Sequence, residues 1–143
     1  ERLVVSHVGD SGAVLLRRTD EGGLVAKRLT QDHVPELAAE KARIEECGGR
    51  VVFDGGCHRV SPKKVYAPGL NMSRSLGDAQ SHACGVSAQP EVTVRDISPE
   101  DRAVLVASDG VWEVVTSREA AELAHSFAPE RAMEAAARVA EVA

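Results

Sequence analysis

Residues 103–113 read Ala-Val-Leu-Val-Ala-Ser-Asp-Gly-Val-Trp-Glu, and residues 3–12 read Leu-Val-Val-Ser-His-Val-Gly-Asp-Ser-Gly. Each is a strand-like apolar run that ends in an Asp beside a Gly. The run from Ala103 to Ala107 has the length and the continuous apolar character of a buried strand. Leu3 to Val8 is rich in β-branched residues, which favour the pleated conformation. A carboxylate at a strand end is held by a sheet yet faces the loops, and an adjacent Gly allows close backbone approach. Asp10, Asp109 and Glu113 therefore form one candidate set of hard oxygen ligands, the donors that magnesium and manganese select. The alternative is that both Asp residues only cap their own turns.

Working outward from these two runs, the first third reads as β-structure. Ala13 to Arg18 follows the Gly9–Gly12 turn, and Glu21-Gly22-Gly23 returns the chain into Leu24 to Leu29, so Leu3–Leu29 is expected to form a β-meander. A helix is expected after Asp32-His33, with Pro35 in its first turn, Leu37, Ile44 and Cys47 on one side, and Gly48-Gly49 as its stop. Glu36, Glu40 and Lys41 read as its solvated face. His33, at the helix entry, is expected to bond backbone, and His7 to be a core or edge residue of a strand. Arg50 to Phe53 forms another short strand. Residues 54–89 are rich in Gly and Pro and show little periodicity, a stretch long enough to suggest function rather than linker. Glu91 to Arg95 alternates as a half-buried strand, with Val92 and Val94 inward. Thr116-Ser117-Arg118-Glu119 is a capping-box pattern that opens a helix with Ala120, Leu123, Ala124 and Phe127 on one face. Pro129 starts a second, Ala-rich helix, with Met133, Ala136, Ala137 and Ala140 expected on one face. Trp112 reads as a core residue.

Composition limits the function classes. The 143 residues are 43% apolar and 27% charged, which fits a single globular domain. Acidic residues outnumber basic ones by 22 to 17, against the dense positive surface that nucleic acid requires. No apolar run approaches the roughly 18 residues of a membrane span. Cys47, Cys57 and Cys84 show no paired spacing, so the thiols are expected to be reduced and the location cytoplasmic or nuclear. In Met72-Ser73-Arg74-Ser75-Leu76-Gly77-Asp78, the planar fork of Arg74 suits a phosphate. The alternative for Arg74 is a surface position or a pair with Asp78.

Several of these segments, in order, resemble the metal-dependent protein phosphatase family, the type 2C Ser/Thr phosphatases. Val8–Leu15 resembles the family's VGDSRAVL. Leu29–Pro35, with Glu40, Arg43-Ile44 and Gly48–Val51, resembles LTxDHxP…E…RI…GGxV. Leu70–Asp78 resembles LAVSRSLGD, Pro90-Glu91-Val92 resembles the PEV strand, and Val104–Val115 resembles LILASDGLWDVL. The resemblance implies an α+β fold of two packed, mostly antiparallel β-sheets flanked by α-helices, of which residues 1–143 are a portion of one domain. It implies a binuclear magnesium or manganese centre and in-line attack by metal-bound water on phosphoserine or phosphothreonine in protein substrates. It assigns Asp109 to the catalytic metal centre, Asp10 and Glu113 to a third, weaker metal, and Arg74 to the phosphate-facing side. No nucleic-acid or membrane partner is implied, and a monomer is expected. Gly12 stands where the family usually has Arg, and Glu113 where it usually has Asp. The family's early ED and DGHGG motifs and its late DN motif are not among these residues, so the enzyme reading places them elsewhere on the same protein. The competing reading is a pseudophosphatase that uses the fold to hold partners.

Overall fold

The computed structural model describes residues 1–63 and 69–143 and divides into two compact units. One unit comprises Glu1–Val5, Ser11–Gln31 and Val92–Ala143; the other comprises Ser6–Asp10 and Asp32–Glu91. The class is mixed α and β, with antiparallel pairing, as expected. Three small sheets occur among the described residues rather than two.

The first unit is built on β2 (Gly12–Arg18), the central strand between β3 (Leu24–Arg28) and β7 (Asp101–Ala107). The unbroken apolar run Ala13-Val14-Leu15-Leu16 is fully buried there, because a central strand with cover on both faces has no solvent side. Both neighbours pair antiparallel, with Val14 opposite Arg28 and Gly12 opposite Ala107. The expected meander stops at β2–β3. The strand β1 (Arg2–His7) pairs instead with β6 (Glu91–Asp96), since β2 has both of its edges occupied. The turn between β2 and β3 is closed by Thr19, whose carbonyl accepts from Gly22 N–H and whose Oγ1 accepts from Gly23 N–H.

Two readings of burial are corrected. Ala103–Ala107 lies at the edge of its sheet with Val106 75% exposed, not buried as its composition suggested. Val92 and Val94 of β6 are also exposed, so the expected inward face of that strand is uncovered. Of the two C-terminal helices the first behaves as read, whereas the helix after Pro129 buries Ala135 and Val139 and leaves Met133, expected on its apolar face, 84% exposed. The helix α4 (Ser117–His125) is capped by Thr116, which accepts from Glu119 N–H while the Glu119 carboxylate accepts from Thr116 N–H. After the short α3 (Asp109–Trp112), α4 (Ser117–His125) and α5 (Ala132–Val142) pack through Val115, Ala120 and Val139, with Leu105, Val111, Trp112 and Leu123 around them. A single 3-10 turn at Pro129–Arg131 precedes α5. No helix among the described residues is long and apolar enough to cross a membrane.

The second unit packs α1 (Ala38–Glu46) against a hairpin of β4 (Gly49–Asp54) and β5 (Cys57–Pro62). (The four-residue α2, numbered in chain order between α1 and α3, is Ala79–His82.) Its core is Ile44, Val60 and Val86, with Val51, Leu70 and Cys84 against them. The strand β5 falls inside the stretch that read as irregular. Its two-residue turn, Gly55-Gly56, has both φ values positive, at 61° and 88°, the conformation that fits the twist of a tight hairpin. Residues 64–68 of that stretch lie outside the described residues. The helix α1 starts three residues later than Pro35, because the preceding backbone is already committed: His33 N–H donates to Gly9 O, and His33 O accepts from Ser73 N–H. The three cysteines are free thiols.

Candidate functional site

In the first unit, β7 delivers Asp109 to the start of α3. Asp109 is exposed, and its Oδ1 accepts from Gly110 N–H at 2.8 Å. Glu113 is exposed one turn later, and its N–H donates to the Asp109 carbonyl. The junction is held by Trp112. Its indole N–H lies 2.9 Å from Ala107 O and 3.1 Å from Gly12 O, so one side chain ties the end of β7 to the start of β2. The Arg28 guanidinium covers the indole face at 5.4 Å from the ring centre. Trp112 is thus partly buried and structural, as read from the sequence. The turn-capping bond at Asp109 uses one carboxylate oxygen and is compatible with the other serving as a ligand.

In the second unit, Asp10 is half-buried and follows Gly9, whose φ is +92°. Gly9 is gripped on both sides by His33. His33 N–H donates to Gly9 O at 3.0 Å, and Gly9 N–H donates to His33 Nδ1 at 3.1 Å. His33 is 2% exposed. Its pKa is held below the ordinary 6.5, first by burial and then by the positive charge of Arg74 and by His7; Glu40 and Glu91 oppose this. The His7 ring stacks on it, with centres 4.5 Å apart and planes 12° from parallel.

His7, His33 and Glu91 bring three ligand-type atoms within 4.8 Å of one another. Chemistry argues against a metal at that cluster. A neutral imidazole has one lone pair on the ring plane, and at His33 it sits on Nδ1, where Gly9 N–H uses it. Nε2 therefore carries the proton. It stands 3.5 Å from Glu91 Oε2 without completing a hydrogen bond, and it has no lone pair to give an ion.

Arg74 is not on the surface, and its partner is not Asp78. Its Nε lies 3.1 Å from both oxygens of Glu40, its Nη2 lies 2.6 Å from Glu40 Oε1, and its Nη1 lies 3.1 Å from Gln89 O. Glu40 also accepts from Arg43 Nη2 at 2.7 Å and from Ser73 Oγ at 2.6 Å. Glu40 is 3% exposed, which corrects its reading as part of a solvated face. Burial alone raises a carboxyl pKa, but the bonds from Arg74, Arg43 and Ser73 outweigh it and hold Glu40 far below the usual carboxylate range. Glu40 in turn raises the pKa of Arg74. All three nitrogens of the Arg74 fork thus have partners inside this unit. The periodicity of α1 carried a signal for Glu40 that was missed: it lies three residues after Leu37 and four before Ile44, on the apolar side.

A family model described as Protein phosphatase 2C matches residues 1–143. A probable protein phosphatase 2C of Arabidopsis thaliana, numbered 73, is 46% identical over 131 residues, covering 90% of this chain and 35% of that protein. A probable protein phosphatase 2C of Oryza sativa subsp. japonica, numbered 48, is 47% identical over 136 residues, covering 90% of this chain and 38% of that protein. The chain thus spans little more than a third of the length of these relatives. Among solved structures, a serine-threonine phosphatase 2C from Toxoplasma gondii superposes with a TM-score of 0.86 at 28% identity, over 98% of this chain and 49% of that one.

Proposed function

This chain belongs to the protein phosphatase 2C family, and from that premise we propose that the full protein hydrolyses phosphoserine and phosphothreonine in protein substrates with magnesium or manganese. The observation that carries the reading is Asp109. An exposed carboxylate stands at the end of a sheet strand, and the Trp112 indole fastens that strand end to its neighbour. The donor set fits the ions. Asp10, Asp109 and Glu113 offer carboxylate oxygens only, which suit hard divalent cations.

When bound, such ions supply charge neutralisation of phosphoryl oxygens and a lowered pKa for water. Asp109 is assigned to the catalytic metal centre, Glu113 of the same unit to weaker metal binding, and Asp10, in the other unit, separately to weaker metal binding. The longer Glu113 side chain, in place of the family's usual Asp, reaches one methylene further. The Arg74 guanidinium is held by Glu40, which fixes the orientation of its fork.

The test is hydrolysis of a phosphothreonine peptide by the full protein with manganese. Activity that requires the metal and falls at least a hundredfold in Asp109→Asn supports the reading; a loss of roughly that size follows from removing a charged ligand of a catalytic ion. A folded full protein that is inactive with every divalent ion overturns it and favours the partner-holding alternative.

A further inference from the structure

We infer that His33 is the positioning residue for the turn that carries Asp10, and that it acts through the acceptor lone pair of Nδ1. The inference rests on the proposed reading only in taking Asp10 as a metal ligand.

Two hydrogen bonds join His33 to both backbone polar groups of Gly9, at 3.0 Å and 3.1 Å. Gly9 therefore cannot rotate without losing one of them, and the next side chain along is Asp10. The clamp is itself anchored. His33 O accepts from Ser73 N–H at 2.7 Å, and Ser73 O accepts from Ser87 N–H at 3.2 Å. Gly9 itself holds a φ of +92°, a backbone conformation that L side chains rarely adopt. The stacked His7 ring covers one face of the imidazole. A ligand carboxylate has to be held within fractions of an ångström, and side chains locked by packing and hydrogen bonds are what hold it.

The requirement at position 33 is narrow: a buried acceptor at the δ position, about 3 Å from the Gly9 amide. Asn offers this through Oδ1. Gln does not, because its amide lies one carbon further out. A role limited to filling space would rank Gln, the closer match in volume, above Asn. The clamp ranks them in the opposite order.

The test uses the full protein and its His33→Asn, His33→Gln and Asp10→Asn variants. Amide hydrogen exchange over residues 6–11 reads the clamp, and electron paramagnetic resonance of free manganese reads the weaker site. His33→Gln is expected to speed exchange of that segment about tenfold and to weaken the manganese site that Asp10→Asn removes by about tenfold. His33→Asn is expected to stay near wild type in both. The inference is overturned if folded His33→Gln exchanges as wild type does, or if folded His33→Asn loses protection as fully as His33→Gln. Should His33→Gln not fold, His33→Asn decides: protected residues 6–11 support the clamp, and rapid exchange in a folded protein overturns it. If Asp10→Asn leaves manganese binding unchanged, the metal assignment of Asp10 fails, while the exchange data still decide the clamp.

Discussion

Replacing Glu40 with Gln keeps the size of the side chain and removes a charge that Arg74, Arg43 and Ser73 all address. Glu40 is 3% exposed, whereas the side chains of Arg74 and Arg43 are 19% and 29% exposed. Removing one partner of a buried ion pair costs about 3–5 kcal/mol, because the charge left behind stays desolvated. Here the stranded charges keep a path to water, so the lower end applies, about 3 kcal/mol, or roughly a hundredfold in the folding equilibrium. The effect has a pH signature. The Glu40 pKa is depressed on folding, from an ordinary 4.5. Its contribution is therefore complete above about pH 4.5 and is lost progressively as pH falls toward the folded value. Urea unfolding of the full protein, followed by circular dichroism, is expected to show a constant gap between wild type and Glu40→Gln from pH 7 to pH 5. Below that the gap is expected to narrow. Glu40→Gln/Arg74→Gln is expected to lose less than the two single changes combined, since the second substitution removes a charge that the first has stranded. A loss under about 1 kcal/mol at pH 7, or a gap unchanged by acid, refutes the reasoning.

The buried, neutral state of His33 gives a second titration in a different window. Its pKa is lowered from 6.5, so the stability it confers is present above that pH and is lost as pH falls below it. Protonation places a hydrogen on Nδ1, opposite Gly9 N–H. Thermal melts are expected to show wild type losing stability as pH falls below 6.5 and His33→Asn losing less; equal slopes would count against this. Gly49→Ala is expected to destabilise by about 1–3 kcal/mol or more. A Cβ there overlaps the Cys84 carbonyl oxygen and comes within 2.9 Å of Ile44 Cγ2. Urea titration checks it, and a midpoint equal to wild type would contradict the packing. Thr116→Ala is expected to cost about 1 kcal/mol by removing the cap from Glu119 N–H, with thermal melting as the measure.

How far these features were legible depended on how local their cause is. The Thr116–Glu119 capping box and the β2–β3 turn are settled by neighbours in sequence, and both were read correctly. The β4–β5 hairpin was equally local: Gly55-Gly56 follows the β-branched Val51-Val52, yet the surrounding Gly and Pro residues masked it. The pairing of β1 with β6 was beyond local reading, because it depends on β7 already occupying the free edge of β2. Apolar runs state that burial is needed and not what supplies it, which is why Val106 looks like core in the sequence and stands 75% exposed here.

The same distinction separates the site residues. Asp10 and Asp109 became candidates because a strand end with Asp beside Gly is a pattern within a few residues. Glu40 did not, because its partners, Ser73 and Arg74, lie more than thirty residues away. A carboxylate on an apolar helix face is costly unless something answers it. The place to seek that answer was the segment whose Arg74 had been read as free for phosphate. One buried acid and one Arg in need of a partner were two halves of a single observation. Recognising the burial of the first would have pointed to the second as its partner.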